Sequence, residues 1–283
     1  MGERLLGKLG PAEAVGTHYS SPTGETLYFD ATTMGLEDIL SPASQFSHCF
    51  IVFAEADVDA CKADIDRSHK INVIGIKKII DSLIDRGIKP IFMSSEYVFD
   101  GEKGNYTEDD LPTPNTVYGG QKREIEVCLE ECGSDYAVLR LAKVYGTDPT
   151  DHTILSGWAR QVQRGEQIRC ARDQVFSAVH LDDVVAASIA VARLDLSGVF
   201  NIAGPDSYSR LGMFQVFLEQ WKVNADILEC GLQDLKFLDN RPMDLSMDSS
   251  LVQSVTGLRF RSVDDCCREF ISNLKKEEAS ARG

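Results

Sequence analysis

Apolar residues along this 283-residue chain follow two alternating patterns. Continuous apolar runs recur as HCFIVFA (48–54), KPIFMS (89–94) and YAVLRL (136–141). Such runs, without polar alternation, predict strands buried on both faces of a parallel sheet. Between them, apolar residues recur at three- and four-residue spacing. Ile71, Ile74, Ile79, Leu83 and Ile84 trace one helical face over 68–86, and Gly87 follows as a stop. Further helices are predicted over 3–9 and 117–131, and short strands over 14–17 and 27–29. Residues 101–114, rich in Gly, Asp, Asn and Pro, predict a loop. Strand, helix, strand in this order predicts an α/β fold with a parallel sheet and crossover helices.

The last third reads differently. Helices are predicted over 182–194, 211–221 and near 263–274, with a strand over 199–203. RPMDLSMDSS reads as an ordered loop, and the polar tail KKEEASARG (275–283) as a fraying end. No repeat or low-complexity linker divides the chain, so two regions, 1–145 and 146–283, are expected to interleave.

Charge narrows the partners. With 29 basic and 44 acidic side chains the formal charge is −15. Such a surface repels a phosphate polymer or an anionic membrane, so neither nucleic acid nor membrane is an expected partner. A few local cations or a helix N-terminus still suffice to hold a small anion. No run of 18 apolar residues spans a membrane, and MGERLLGKLGPAEAVG lacks the apolar core of a signal peptide. Eight cysteines contain no CxxC pair, which argues against a zinc site or any other metal site. Free thiols in a reducing, cytoplasmic compartment are expected.

Two segments carry candidate chemistry. FMSSEYVFDG ends a predicted strand at Ser94 and Ser95, and VYGGQK opens a predicted helix with Tyr118 and Lys122. Four residues apart, Tyr118 and Lys122 share a helical face. An ammonium beside a phenol favours the phenolate and lowers its pKa from about 10. That tuning suits proton exchange with a carbinol oxygen near neutral pH. Ser95, at the carboxyl end of its strand, is placed where open α/β sheets bind ligands. Its hydroxyl could bind the same oxygen.

SSEYVFDG, then YTEDDLPTPNTVYGGQK, then LRLAKVYG resembles the dTDP-4-dehydrorhamnose reductase family of extended short-chain reductases. DQVFSAVHLDDV, FNIAGPDSYS and RPMDLSMDSSLV add weaker matches, so the likeness runs from about Gly2 to Leu258. The resemblance implies a Rossmann-like doubly wound NAD(P)-binding domain over 1–145 and a smaller α/β substrate-binding region over 146–283. It implies reduction of the keto group of a nucleotide-linked 4-keto-6-deoxysugar with NADP or NAD. Ser95 would bind the substrate carbonyl, with Glu96 and Tyr97 beside it. Tyr118 would be the general acid, and Lys122 would lower its pKa and hold the nicotinamide ribose. Gly2 would match the last glycine of the phosphate-binding turn, and Ala54 and Glu55 would line the cofactor cleft, although an acid there repels a pyrophosphate. Asp30 would approach the adenine, and His18 and Ser20 would lie where the ribose 2′ position is read. Neither is the acid expected for NAD or the arginine expected for NADP. Arg241 would lie near the substrate's nucleotide. Lys143 stands where these reductases often carry an aromatic, which leaves the sugar open. A nucleotide-sugar substrate and, at most, a second copy of the chain in a homodimer are the implied partners.

One departure stands out. The helix over 3–9 has no strand and glycine-rich turn ahead of it, although that strand normally lies mid-sheet. Without it two strands each lose a hydrogen-bonded neighbour. Three explanations stand open: a start further upstream, a cofactor-free relative, or another segment in the gap. The intact downstream residues favour the first. Two alternative functions are weighed. The resemblance extends to the regulatory beta subunit of methionine adenosyltransferase, which keeps a similar YVFDG segment. Nucleotide-sugar epimerases and dehydratases share the Tyr–Lys pair, but dehydratases carry two acids after the Ser/Thr, and here Ser95 is followed by one, Glu96.

Overall fold

Four parallel strands form the central sheet, in the order Gly198–Ile202, Ala137–Leu141, Lys89–Ser95, His48–Ile51. The computed structural model describes residues 1–24, 26–41 and 44–280. In chain order, helix α1 (Gly2–Leu9) precedes the short strands β1 (Thr17–His18) and β2 (Leu27–Tyr28), then β3 (His48–Ile51). Helices α2 (Val58–Ala63) and α3 (Ile65–His69) run through a π-helical turn, Lys70–Gly75, into α4 (Ile76–Asp85). Then come β4 (Lys89–Ser95), α5 (Val117–Glu131), β5 (Ala137–Leu141), β6 (Val144–Tyr145) and α6 (Ile154–Gln163). Strands β7 (Ile168–Ala171), β8 (Val175–Phe176) and β9 (Val179–His180) lead to α7 (Leu181–Arg193), β10 (Gly198–Ile202) and β11 (Tyr208–Ser209). Helix α8 (Arg210–Trp221), β12 (Ile227–Cys230), α9 (Ser250–Thr256) and α10 (Val263–Ser280) complete the chain.

The apolar runs explain the layers. Every residue of β4 and β5 is buried. Successive side chains of a strand point to opposite faces. Ile91, Met93 and Leu139 accordingly join a core with Leu5 of α1 and Val184 and Val191 of α7. Phe92 and Val138 join another with Ile76, Ile80, Leu83, Ile125 and Leu129 of α4 and α5. A third core, with Trp158, Phe214, Phe217 and Phe270, binds α6, α8 and α10. Elements from 146–283 also complete the first sheet: β10 pairs with β5, and α7 covers one face.

Several expectations need correction. The strand expected over 14–17 is reduced to Thr17–His18, and the one over 48–54 ends at Ile51. The helix expected over 68–86 starts at Ile65 and carries the π turn. That turn rotates Asn72, a polar residue in an apolar stretch, fully inward. The tail expected to fray continues α10 as far as Ser280, and 281–283 lie outside the described residues. Among the described residues no helix is long and apolar enough to cross a membrane.

One buried ion pair ties α5 to the sheet. Glu126 on α5, fully buried, accepts from Arg140 Nη2 on β5 at 2.9 Å, from Arg140 Nε at 3.1 Å and from Ser94 Oγ on β4 at 2.6 Å. Removing one member of such a pair leaves the other charged and unpaired in the core. Glu126→Gln is therefore expected to lower the unfolding free energy by about 3–5 kcal/mol, measured by urea unfolding. A loss under about 1 kcal/mol, the range of an exposed pair, would show that the pair does not carry this contact.

Candidate active site

The carboxyl end of β4 meets the first turns of α5. Ser95 ends β4, and Glu96, Tyr97 and Val98 form a 3-10 turn whose first amides face the Ser95 hydroxyl, with Tyr97 N–H donating to Ser95 Oγ at 3.3 Å. Thr116 caps α5 by accepting from Gly119 N–H at 3.0 Å. Gly119 is required at the contact: a Cβ there would stand 2.0 Å from the Tyr97 carbonyl oxygen. This close approach brings the Tyr118 and Tyr97 rings edge to face, their centroids 5.9 Å apart. Val58 and Cys61 of α2 pack against Tyr118 from the other side.

Ser95, Tyr118 and Lys122 are all buried. Lys122 Nζ donates to the Met93 carbonyl at 2.8 Å and lies 4.7 Å from the Phe92 ring centre and 5.7 Å from that of Tyr118. Burial lowers the Lys122 ammonium to about 8, partly offset by Cys61 and Glu126. Burial also pushes the Tyr118 phenol up, opposed by a hydrogen bond with Ser95. The sequence led us to expect Lys122 to lower this phenol. Desolvation instead raises it, and Lys122 donates its ammonium to the Met93 carbonyl.

A hydrogen-bonded network supports this cluster. Asn72 Oδ1 accepts from Glu55 N–H at 2.8 Å, and its Nδ2 donates to the Glu55 carbonyl at 2.9 Å and to Gln121 Oε1 at 2.8 Å. Gln121 Nε2 then donates to Ser68 Oγ at 2.8 Å. The segment after β3 is thereby fixed to α5, beside Lys122. Sequence reasoning passed over Asn72 and Gln121; the signal was an amide inside the apolar stretch KINVIG.

Cations gather on the other side of Tyr97. Arg241 pairs with Asp59 of α2 at 2.9 Å, donates to the Asn240 carbonyl at 3.1 Å and stacks on Phe237 with 4.5 Å to the ring centre. Asp239, in the same loop, accepts from Val117 N–H at the start of α5 at 2.8 Å. Arg210, at the start of α8, was not singled out from the sequence. Its guanidinium makes no hydrogen bond or ion pair among the described residues, and desolvation lowers its pKa. Lys143 is also lowered, first by desolvation and then by Arg210 and Arg241, while Glu96 opposes the shift. Glu96 is buried, accepts from Lys143 N–H at 3.1 Å, and is pushed well above the usual carboxylate range by desolvation. Burial likewise raises the Tyr97 phenol, which Arg241 and Arg210 oppose. Arg210 and Arg241 thus bear on both Lys143 and Tyr97, a receptive environment for an anion.

The remaining expected cofactor residues begin with the segment after β3, which the Asn72 network holds beside Lys122. Ala54 is half-buried just after β3. Glu55 is neutralised by Arg67 at 3.0 Å, which relieves the repulsion expected of an acid near a pyrophosphate. Gly2 opens α1, whose first turn has no side-chain cap. An uncapped helix N-terminus accepts an anion, although Glu3 in the same turn opposes one. His18 Nδ1 lies 2.9 Å from Thr26 Oγ1, and Asp30 turns back on Thr32, accepting from its N–H at 2.9 Å and its hydroxyl at 2.7 Å. Gly2, His18 and Ser20 line a cavity of about 970 Å³ that includes none of Ser95, Tyr118 or Lys122.

Comparison with known proteins places the arrangement. Residues 36–276 match the family described as RmlD substrate binding domain. The chain is 24% identical over 269 residues to the "Probable low-salt glycan biosynthesis reductase Agl14" of Haloferax volcanii, covering 93% of this chain and 90% of that protein. It is 34% identical over 215 residues to the methionine adenosyltransferase 2 subunit beta of Bos taurus, covering 74% of this chain and 64% of that one. The fold superposes with a TM-score of 0.79 on a crystal structure of dTDP-4-dehydrorhamnose reductase from Bacillus anthracis in complex with NADP, at 19% identity over 95% of this chain and 94% of the other. With most of its length matched to that family and its sheet of the Rossmann type, the chain belongs to the RmlD substrate-binding-domain family of extended short-chain reductases.

Proposed function

We propose that this chain, an NAD(P)-dependent oxidoreductase by family, reduces the keto group of a nucleotide-linked sugar, with a 4-keto-6-deoxysugar as the substrate class. The observation that carries the reading is the meeting of Ser95, Tyr118 and Lys122 at the end of β4, beside the unpaired guanidinium of Arg210. NADP or NAD would supply the hydride. Gly2, Ala54 and Lys122 would hold the cofactor, with His18 and Asp30 toward its adenosine end.

Tyr118 donates its proton to the carbonyl oxygen as negative charge develops there. The Ser95 hydroxyl donates to the same oxygen and fixes its direction. A phenol raised by burial gives up its proton poorly. Lys122, on the next turn of α5, is the cation placed to favour the phenolate. Lys143, Arg210 and Arg241 hold the diphosphate of the nucleotide, and Tyr97 lies between them and the reacting groups.

A second reading, a regulatory subunit that binds a nucleotide without turning it over, is favoured by the 34% identity to the bovine beta subunit. The complete Ser–Tyr–Lys set supports catalysis instead.

With NADPH and a dTDP-linked 4-keto-6-deoxysugar, Tyr118→Phe is expected to lower kcat by about 10²–10⁴-fold, while titration by NADPH fluorescence is unchanged. Full turnover by the variant would refute the role of Tyr118, and a wild-type chain that binds NADPH but turns over no keto sugar would favour the second reading. Arg210→Met should raise KM at least tenfold with a smaller change in kcat; an unchanged KM would remove Arg210 from the diphosphate site. Lys122 also predicts a pH dependence. Between about pH 8 and its ordinary pKa, the unfolded chain holds a proton that the folded chain does not. Its stabilising contribution is therefore full above the ordinary value and lost as pH falls to about 8. The wild-type minus Lys122→Met difference in unfolding free energy should rise from pH 8 to pH 10 by urea unfolding. A flat difference would contradict the assignment.

A further inference from the structure

Residues 233–241 run past the start of α5 without an apolar anchor. The segment is fixed at both ends. Buried Leu232 donates its N–H to Asp173 at 2.7 Å. Pro242 is buried against Gly101, where a Cβ would stand 2.5 Å from the proline Cβ, and the Met243 carbonyl accepts from Val175 N–H of β8 at 2.7 Å. Between these ends no residue from 233 to 241 is buried, and Lys236, Phe237 and Leu238 are exposed. From Leu235 to Arg241, among the described residues, every hydrogen bond or ion pair to another element goes to α2 or to the first residue of α5. One carboxylate oxygen gathers most of them. Asp59 Oδ1 accepts from Leu238 N–H at 3.0 Å, from Asp239 N–H at 3.1 Å and from Arg241 Nη2 at 2.9 Å. The local sequence aims it there. Asp57 caps α2 by accepting from Ala60 N–H at 2.9 Å, Val58 and Cys61 turn toward Tyr118, and Asp59 faces the loop.

We infer that Asp59 is a positioning residue, which latches segment 233–241 to α2 and thereby aims Arg241 at the diphosphate of the substrate. The aim of Arg241 rests on the reductase reading; the latch does not. A segment with no buried residue opens locally at little cost unless polar contacts hold it. Arg241 would move with the segment. Its Nη1 bonds, to the Asp239 and Asn240 carbonyls at 3.3 and 3.1 Å, and its stacking on Phe237 all lie within the same stretch. Asp59 is thus the only group outside the loop that holds this guanidinium, among the described residues. A guanidinium carries more donors than these contacts use, and Arg241 Nε makes no hydrogen bond among the described residues, so the latched side chain still has a donor for a ligand oxygen. Arg241 and Asp59 also bear on the Tyr97 phenol with opposite sign, which places the latch beside the reacting groups.

The test uses the full chain carrying Asp59→Ala, Arg241→Met or both. Two readouts need no ligand. Trypsin cleavage after exposed Lys236 and hydrogen exchange across 235–241 should quicken about tenfold or more with Asp59→Ala, because bonds to a charged acceptor are lost. Both should quicken by more than with Arg241→Met, which keeps the two amide bonds. The Tm of Asp59→Ala should fall by about 4 °C at most, since Asp59 is partly exposed. An Asp59→Ala loop as protected as that of the wild type overturns the latch. The third readout is the dissociation constant of dTDP, a nucleoside diphosphate, by calorimetric titration. Each single variant should raise it about tenfold or more, and the double variant should match Arg241→Met, because Asp59 acts through Arg241. Losses that multiply in the double variant, a single variant that binds dTDP as the wild type does, or a wild type that binds none, overturn the positioning role. A wild type that binds dTDP and shows the latch, but reduces no keto sugar, counts against the reductase reading alone.

Discussion

Everything at the site depends on the axial and rotational position of α5, which the buried contact of Glu126 with Arg140 and Ser94 sets. Ser94 immediately precedes Ser95, and Glu126 lies one turn beyond Lys122. The same carboxylate therefore references both halves of the site to one point. Its charge is costly to bury unless paired, so only one register of helix against sheet satisfies it. Gly119 completes the positioning at the other end, where contact with the Tyr97 carbonyl leaves no room for a side chain. A two-point attachment of this kind keeps rotamers fixed before any ligand arrives, which reduces the ordering cost of binding.

The chemistry around Tyr97 divides by charge. On the α5 side lie a raised phenol, a lysine lowered to about 8 whose ammonium donates to a carbonyl, and an amide network through Asn72. On the other side Arg210 has no hydrogen-bonded or ion-paired anion among the described residues, and Lys143 faces Glu96. A chain with a formal charge of −15 thus gathers three cations in one small region, one of them, Arg210, without an anion among the described residues. The overall acidity repels polyanions, and the local cations still admit a small one.

Much of this was legible from the sequence where structure is long and periodic. Helix α5 was expected over 117–131 and occupies the same span. Strands β4 and β5 announced themselves as unbroken apolar runs because both of their faces are buried. Between 144 and 180 the two-residue strands β6, β8 and β9 are too short to show a period, whereas α6 was passed over although Leu155, Trp158 and Ala159 mark its buried face. Ser95, Tyr118 and Lys122 could be named because they lie in contiguous motifs. Arg210 could not, since only the fold brings the start of α8 near Tyr97. The phenol's pKa also escaped sequence reasoning, because spacing reports a neighbouring charge but not the depth of burial that competes with it.

Among the described residues β3 pairs with β4 alone and β1 with β2 alone, and the edge that each leaves open bears on the solution behaviour of the chain. An uncovered strand edge is a template that accepts any extended segment, including one from a second, partly unfolded copy. Two such edges facing one apolar space make that hazard local and directional, and it grows with concentration. The strongly acidic surface opposes it, since copies of like charge repel before edges can meet. Salt weakens that repulsion and leaves the edges as they are. Colloidal stability of this protein is thus a contest between its charge and its sheet, and ionic strength decides which prevails.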